Sequence, residues 1–299
     1  MTPTTASDWV AGARPRTLWT AITPVAVGSA SAEALDAFDI RAALLAALVA
    51  VALQVGSNYA NDYSDGVRGT DVDRIGPDRL VATGKAAPSA VKTAAVLSFA
   101  LGALAGVFLV VMTSTYWLLA IGALAIAAAW TYTGSSRPYG YDGWGEVSVF
   151  VFFGLFATLG TMYVQAATIT WWAVVAATGV GLYAVAMLMV NNIRDLDTDL
   201  LAGKRTLAVK LGSAQVRKLF AAVVTLPVLC SLVVSFAYPW ALLSTVVALP
   251  SLYFAIAVRL DGAVREKAGV AAGTLKTVFA GLSATGLVYG LLLAFGIAI

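Results

Sequence analysis

Along this chain long uncharged stretches alternate with short polar ones, and that alternation places most of the structure. The uncharged runs are Thr17–Ala32, Ala42–Asn61, Thr93–Ser136, Val147–Ile193, Leu219–Val258 and Thr277–Ile299. A helix rises about 1.5 Å per residue, so a hydrocarbon layer about 30 Å thick is crossed by about 20 residues. The first, second and last runs each fit one span. The three middle runs are roughly twice that length, and each carries a break: Thr113-Ser114-Thr115, Thr168-Ile169-Thr170 and Tyr238-Pro239. Each is therefore expected to fold as a helical hairpin. The pattern predicts an all-α membrane protein, one transmembrane domain over residues 1–299, with nine transmembrane helices.

The positions of the basic residues support that count. Cytoplasmic loops of membrane proteins are enriched in Lys and Arg. With Arg14 and Arg16 placed inside, Arg68, Arg74, Arg79, Lys85, Lys92, Arg137, Arg194, Lys204, Arg205, Lys210, Arg217, Lys218, Arg259, Arg265 and Lys267 all fall on the same side. Lys276 begins the last helix, and only Arg41 lies opposite. The N-terminus is expected to be cytoplasmic and the C-terminus external, with two long cytoplasmic loops over 58–92 and 191–218. The first apolar run reads as a start-transfer helix, not as a removed signal.

Composition narrows the chemistry. The chain is 60% hydrophobic and 12% charged, against about a quarter charged in soluble domains, and its mean hydropathy is +0.85. A net charge of +3 is accounted for by loop charge, and no nucleic-acid partner is expected. The absence of histidine removes His-ligated zinc and His base catalysis. The single cysteine, Cys230, reads as a small buried side chain. Any metal must be held by oxygen ligands.

Oxygen ligands are concentrated at two places. The segment Asn58-Tyr-Ala-Asn61-Asp62-Tyr-Ser-Asp65-Gly-Val-Arg68-Gly-Thr-Asp71-Val-Asp73 leaves the second helix, and Asn191-Asn192-Ile-Arg194-Asp195-Leu-Asp197-Thr-Asp199 leaves the sixth. Asn58, Asp62 and Asp65 share one helical face, as do Asn61 with Asp65 and Asn191 with Asp195 and Asp199. Like charges stacked on one face oppose helix formation unless a cation lies between them. Carboxylates with amide oxygens suit Mg²⁺, which is commonly bridged to phosphate oxygens. Arg68, Arg74, Arg79, Lys85, Arg194, Lys204 and Arg205 are interleaved with these acids, as a clamp on a phosphoryl group requires. Because the two segments are alike, an internal repeat with helices 2 and 6 flanking one cavity is expected. Between helices 4 and 5, Tyr132, Arg137, Tyr139, Tyr141 and four glycines form a shaped loop able to offer rings to an aromatic substrate or a carbocation.

These residues resemble the UbiA-type intramembrane aromatic prenyltransferases, and most closely the branch acting on 1,4-dihydroxy-2-naphthoate in menaquinone synthesis. The resemblance is carried by Asn61-Asp-Tyr-Ser-Asp65-Gly-Val-Arg-Gly-Thr-Asp71 with Arg74-Ile-Gly-Pro, by Arg137-Pro-Tyr-Gly-Tyr141-Asp-Gly-Trp-Gly-Glu146, by Asn191 to Asp199 continuing through Ala202-Gly-Lys-Arg-Thr-Leu-Ala208, and by Ala13-Arg14-Pro15-Arg16-Thr17. It implies a nine-helix fold around a central cavity opening toward lipid, with Mg²⁺ ions bridging a polyprenyl diphosphate. The implied metal ligands are Asn61, Asp62, Asp65, Asp71, Asp195 and Asp199. The family's first motif carries Asp four and eight residues after its Asn; Asn61 and Asp65 fit, Gly69 stands at the eighth position, and Asp71 is preferred to Asp73 as the replacement. Asp65, Asp195, Asp199 and Arg205 are implied as catalytic. Asn58, Asn61, Arg68, Arg74, Arg79, Lys85, Tyr132, Arg137, Tyr139, Tyr141, Asn191, Asn192 and Lys204 are implied as substrate-binding. The implied reaction is transfer of the polyprenyl group to the naphthoate with decarboxylation, giving demethylmenaquinone, on the cytoplasmic side of a bacterial plasma membrane. The alternatives are a UbiA-type enzyme with another acceptor, or a membrane transporter; a transporter would place ionisable groups near mid-span, where this chain has essentially none.

Overall fold

With no charge to solvate, the Ala-, Val- and Leu-rich runs can satisfy their backbone groups in a bilayer only by forming helix, and each of them does so. The computed structural model describes residues 4–70, 79–268 and 273–299, the side chains of 263–268 excepted. The helices are α1 (Ala6–Ala13), α2 (Trp19–Glu33), α3 (Ile40–Arg68), α4 (Pro88–Thr113), α5 (Leu118–Gly134), α6 (Gly145–Val149), α7 (Ala157–Ala166), α8 (Trp171–Arg194), α9 (Leu196–Leu201), α10 (Leu207–Val234), α11 (Ala248–Ala268) and α12 (Thr274–Ala298). A π-helical stretch, Phe150–Phe156, makes α6 and α7 one continuous rod, and 3₁₀ turns fill Pro15–Thr17, Tyr139–Asp142 and Pro239–Val247. No strand occurs among the described residues.

The three expected hairpin breaks fall in loops. Ser114 and Ala167 end α4 and α7 in the left-handed conformation (φ 56° and 52°), and Tyr238-Pro239 follows α10. Among the described residues, seven helical stretches are long and apolar enough to cross a membrane: Ile40–Arg68, Pro88–Thr113, Gly145–Ala166, Trp171–Arg194, Leu207–Val234, Pro239–Gly262 and Thr274–Ala298. The other two expected spans are helical but short, α5 with 17 residues and α2 with 15. The segments expected as polar loops are also more helical than the charge pattern suggested. Helix α3 continues through the first acidic motif to Arg68, and the second motif is divided between the end of α8 and the short α9.

Helix α8 is the most enclosed of the seven long stretches. It packs against α2, α10, α12 and the π-helical stretch, and Tyr183, Met189, Val190 and Ala186 on it have no exposed surface. The opposite pattern marks α4, where Leu97, Leu101, Leu104 and Phe108 are all exposed, the surface expected to face lipid tails. Close approach fixes where α8 meets the π-helical stretch. A methyl group built on Gly154 would lie 2.6 Å from the Gly181 Cα, and one on Gly181 would lie 2.9 Å from the Gly154 Cα. Gly154→Ala or Gly181→Ala is therefore expected to cost about 1–3 kcal/mol by forcing the backbones apart. Thermal unfolding in detergent checks this, and an unchanged melting temperature for both variants would contradict it.

Candidate active site

Both acidic motifs are placed by the same device, an asparagine on a cavity wall with an aspartate one helical turn beyond it. The cavity has a volume of about 550 Å³. Most of its wall is small or apolar, including Ala46, Gly102, Gly106, Ile126 and Phe152, while its polar groups include Asn58, Asn61, Tyr132, Tyr139 and Asn191. Asp65 follows Asn61 by four residues on α3, and Asp195 follows Asn191 by four at the end of α8. Asp65, Asp195 and Asp199 are all buried.

One residue touches both sides. The Tyr141 hydroxyl donates to Asp65 Oδ1, its carbonyl accepts the Arg205 backbone N–H at 2.7 Å, and Lys204 Nζ sits 4.8 Å from its ring centroid. That same Nζ lies 3.5 Å from Asp199 Oδ1. Arg68 flanks the ring at 5.6 Å and donates to the carbonyls of Thr133 and Ser135. Lys210 Nζ secures the loop by donating to the Asp142 carbonyl at 2.5 Å. Burial, and then the charge of Asp65, push the Tyr141 phenol above its usual pKa, so it stays a proton donor at neutral pH.

The remaining charges are in place as well. Arg79 Nη2 is 3.7 Å from Asp65 Oδ2, with both side chains buried. Arg194 forms a two-point bond to its neighbour Asp195 at 2.7 and 2.8 Å. Asn61 Oδ1 accepts from Thr133 at 2.8 Å, and Asn58 donates to the Ala13 carbonyl at 2.8 Å. Tyr139 donates to the Ala128 carbonyl at 2.9 Å and stands edge-on to Tyr132. Asn192 turns away from the cavity and donates to Glu146 Oε1 at 2.9 Å. Arg137 and Arg205 are exposed. Lys85 is placed at Asp8 of α1, 3.4 Å away, not on the cavity wall. Arg74, Asp71 and Asp73 lie outside the described residues. Thr133 and Glu146, which orient Asn61 and Asn192, had no assigned role in the sequence; only contact across loops reveals it.

Among the described residues, no three acidic side chains form a cage that could hold a metal alone. The donors that the two motifs carry are carboxylate and amide oxygens, a hard set matching Mg²⁺, which completes its shell with water and phosphate.

The UbiA prenyltransferase family profile matches residues 21–279. The chain belongs to this family. Its relatives within the UbiA family include the 1,4-dihydroxy-2-naphthoate octaprenyltransferase of Mycobacterium tuberculosis, 49% identical over 263 residues and covering 88% of each chain. The enzyme of the same name from Escherichia coli is 40% identical over 228 residues, covering 74% of each chain. Among solved structures, a UbiA homolog from Archaeoglobus fulgidus bound to GPP and Mg²⁺ superposes with a TM-score of 0.66 over 97% of this chain and 99% of that one, at 16% identity. That likeness establishes the fold.

Proposed function

We propose that this UbiA-family chain transfers a polyprenyl group from polyprenyl diphosphate to 1,4-dihydroxy-2-naphthoate, with loss of CO₂. The observation that carries the reading is that Asn61 and Asn191 line one apolar cavity, each with a buried aspartate one turn beyond it, while Tyr141 bonds Asp65 on one side and the Arg205 N–H on the other. The relatives at 49% and 40% identity that are named 1,4-dihydroxy-2-naphthoate octaprenyltransferases support the acceptor. Mg²⁺, when bound by Asn61, Asp65, Asp195 and Asp199, with Asp71 as a further ligand, supplies Lewis-acid stabilisation of the departing diphosphate.

The protein's own groups then have separable tasks. Arg79, Lys204 and Arg205 offset the charge that develops on the leaving diphosphate as the allylic C–O bond breaks. The apolar wall keeps water from the carbocation, and the tyrosine rings near the polar end favour a cation beside their faces. The ring carbon bearing the carboxylate attacks the cation, the new C–C bond forms, and CO₂ leaves, its bonding electrons restoring aromaticity. The product is the reduced form of a demethylmenaquinone. No strong base is needed, consistent with a chain lacking histidine. In this reading the seven long helices with α2 and α5 make nine spans, the N-terminus is cytoplasmic, and the acidic ends lie at the cytoplasmic side of a bacterial plasma membrane.

Membranes containing the protein, given a labelled polyprenyl diphosphate, Mg²⁺ and carboxyl-labelled 1,4-dihydroxy-2-naphthoate, are expected to release diphosphate and CO₂ in equal amounts. Chelation of the metal should stop both. Prenylation of 4-hydroxybenzoate with no reaction of the naphthoate would overturn the acceptor, and absence of any diphosphate release would overturn the reaction.

A further inference from the structure

Asp62 belongs to the first acidic motif, but its surroundings differ from those of Asp65. Only 1% of its surface is exposed. One carboxylate oxygen accepts the Leu80 backbone N–H at 2.8 Å, and the other accepts the Val81 N–H at 3.0 Å. A carboxylate that takes two successive backbone N–H groups from an incoming strand of chain fixes both the position and the direction of that strand. The segment is built to receive the grip. Thr83 Oγ1 and the Thr83 N–H both bond the Arg79 carbonyl, at 2.6 and 3.0 Å. Leu80 is buried among Tyr59, Ala60 and Ala86. Gly66, one turn beyond Asp62 on α3, leaves room for Val81; a methyl group there would lie 2.5 Å from the Val81 Cβ.

The residue immediately before the gripped pair is Arg79, whose guanidinium reaches Asp65. We infer that Asp62 is a positioning residue, not a metal ligand: it clamps the Leu80–Val81 backbone onto α3 and thereby sets the Arg79 guanidinium beside Asp65, where the diphosphate is bound. This inference rests on the prenyl-diphosphate reading for what Arg79 does, while the clamp itself is independent of it. A ligand role for Asp62 would bring a hydrated cation to the second lone pair of an oxygen already holding a backbone N–H, on a residue with 1% of its surface exposed.

The test separates a clamp from a ligand. Asp62→Asn keeps the shape but presents an amide N–H₂ to one of the two backbone donors, and Arg79→Gln removes the charge being positioned. For Asp62→Asn, Arg79→Gln and the double variant alike, KM for the polyprenyl diphosphate is expected to rise about tenfold, because the two changes act on one contact. Mn²⁺ affinity, read by electron paramagnetic resonance on the purified protein, should move by less than about twofold, whereas Asp65→Asn should weaken it strongly. Hydrogen exchange at the Leu80 and Val81 amides should accelerate in Asp62→Asn whether or not the protein turns over any substrate. Loss of Mn²⁺ affinity in Asp62→Asn matching that of Asp65→Asn would make Asp62 a ligand. Multiplication of the two KM effects in the double variant, or unchanged exchange at Leu80 and Val81, would also overturn the inference. If wild-type protein released no diphosphate while the exchange result held, the function reading would fail and the clamp would stand.

Discussion

Asp65→Asn and Asp195→Asn are each expected to lower Mg²⁺-dependent prenyl transfer by about a thousandfold, a loss in the range seen when charge stabilisation at a leaving group is removed. The substitution keeps size and one oxygen but removes the negative charge that a hard divalent cation requires. Its effect on the fold follows from what each carboxylate holds. Asp65 lies near Arg79 at 3.7 Å and accepts from Tyr141, and the amide oxygen can still accept from Tyr141. Asp195 holds Arg194 in a two-point bond within a buried pair, and an amide leaves part of the guanidinium without its acceptor. Both variants should therefore also lower the melting temperature by several degrees, Asp65→Asn because it takes the carboxylate charge from beside the buried Arg79 guanidinium. Turnover by washed membranes, with the melting temperature of purified protein alongside, checks both statements. Transfer by either variant at close to the wild-type rate would remove the metal-diphosphate reading.

Much of this architecture is legible in the sequence for one reason: lipid permits few solutions. An uncharged run in a bilayer must be helix, so the runs and their three breaks map directly onto helices and loops. The polar segments are less constrained. Nothing in the spacing says whether α3 stops at Asn61 or continues to Arg68, because both are compatible with water outside the membrane. The shortness of α2 is already present in the uncharged run Thr17–Ala32, which falls below a full span, and Pro15–Thr17 forms a separate 3₁₀ turn before it. At the site, Asn61, Asp65, Asn191, Asp195 and Asp199 are legible because their periodicity survives in the helices. The distinction between Asp62 and Asp65 is not, because it depends on where Leu80 and Val81 return to α3. Lys85 illustrates the same limit. Its sequence position near the acids suggested a phosphate contact, yet the turn at Gly84 (φ 67°) precedes it, and it ends at Asp8.

A second large effect lies away from the acidic motifs, where no sequence pattern drew attention. Arg217 near the start of α10 and Asp261 on α11 form an ion pair at 3.0 Å, with 4% and 3% of their surfaces exposed. Arg217 also donates to the Val258 carbonyl and to Ser213 Oγ. Gly262 makes the room, since a methyl group there would lie 2.7 Å from the Arg217 Cδ. Removing one partner leaves the other charge buried, which typically costs about 3–5 kcal/mol, whereas replacing both with apolar groups of similar volume is often neutral. Arg217→Met and Asp261→Leu are therefore each expected to destabilise the protein by roughly that amount, and the double variant should recover most of the loss. Because the pair lies outside the cavity wall, the double variant should retain its KM for both substrates. Unfolding in mixed micelles by increasing dodecyl sulfate gives the comparison. Additive losses in the double variant would show that each side chain stabilises its own helix, and that the contact between α10 and α11 does not depend on the paired charges.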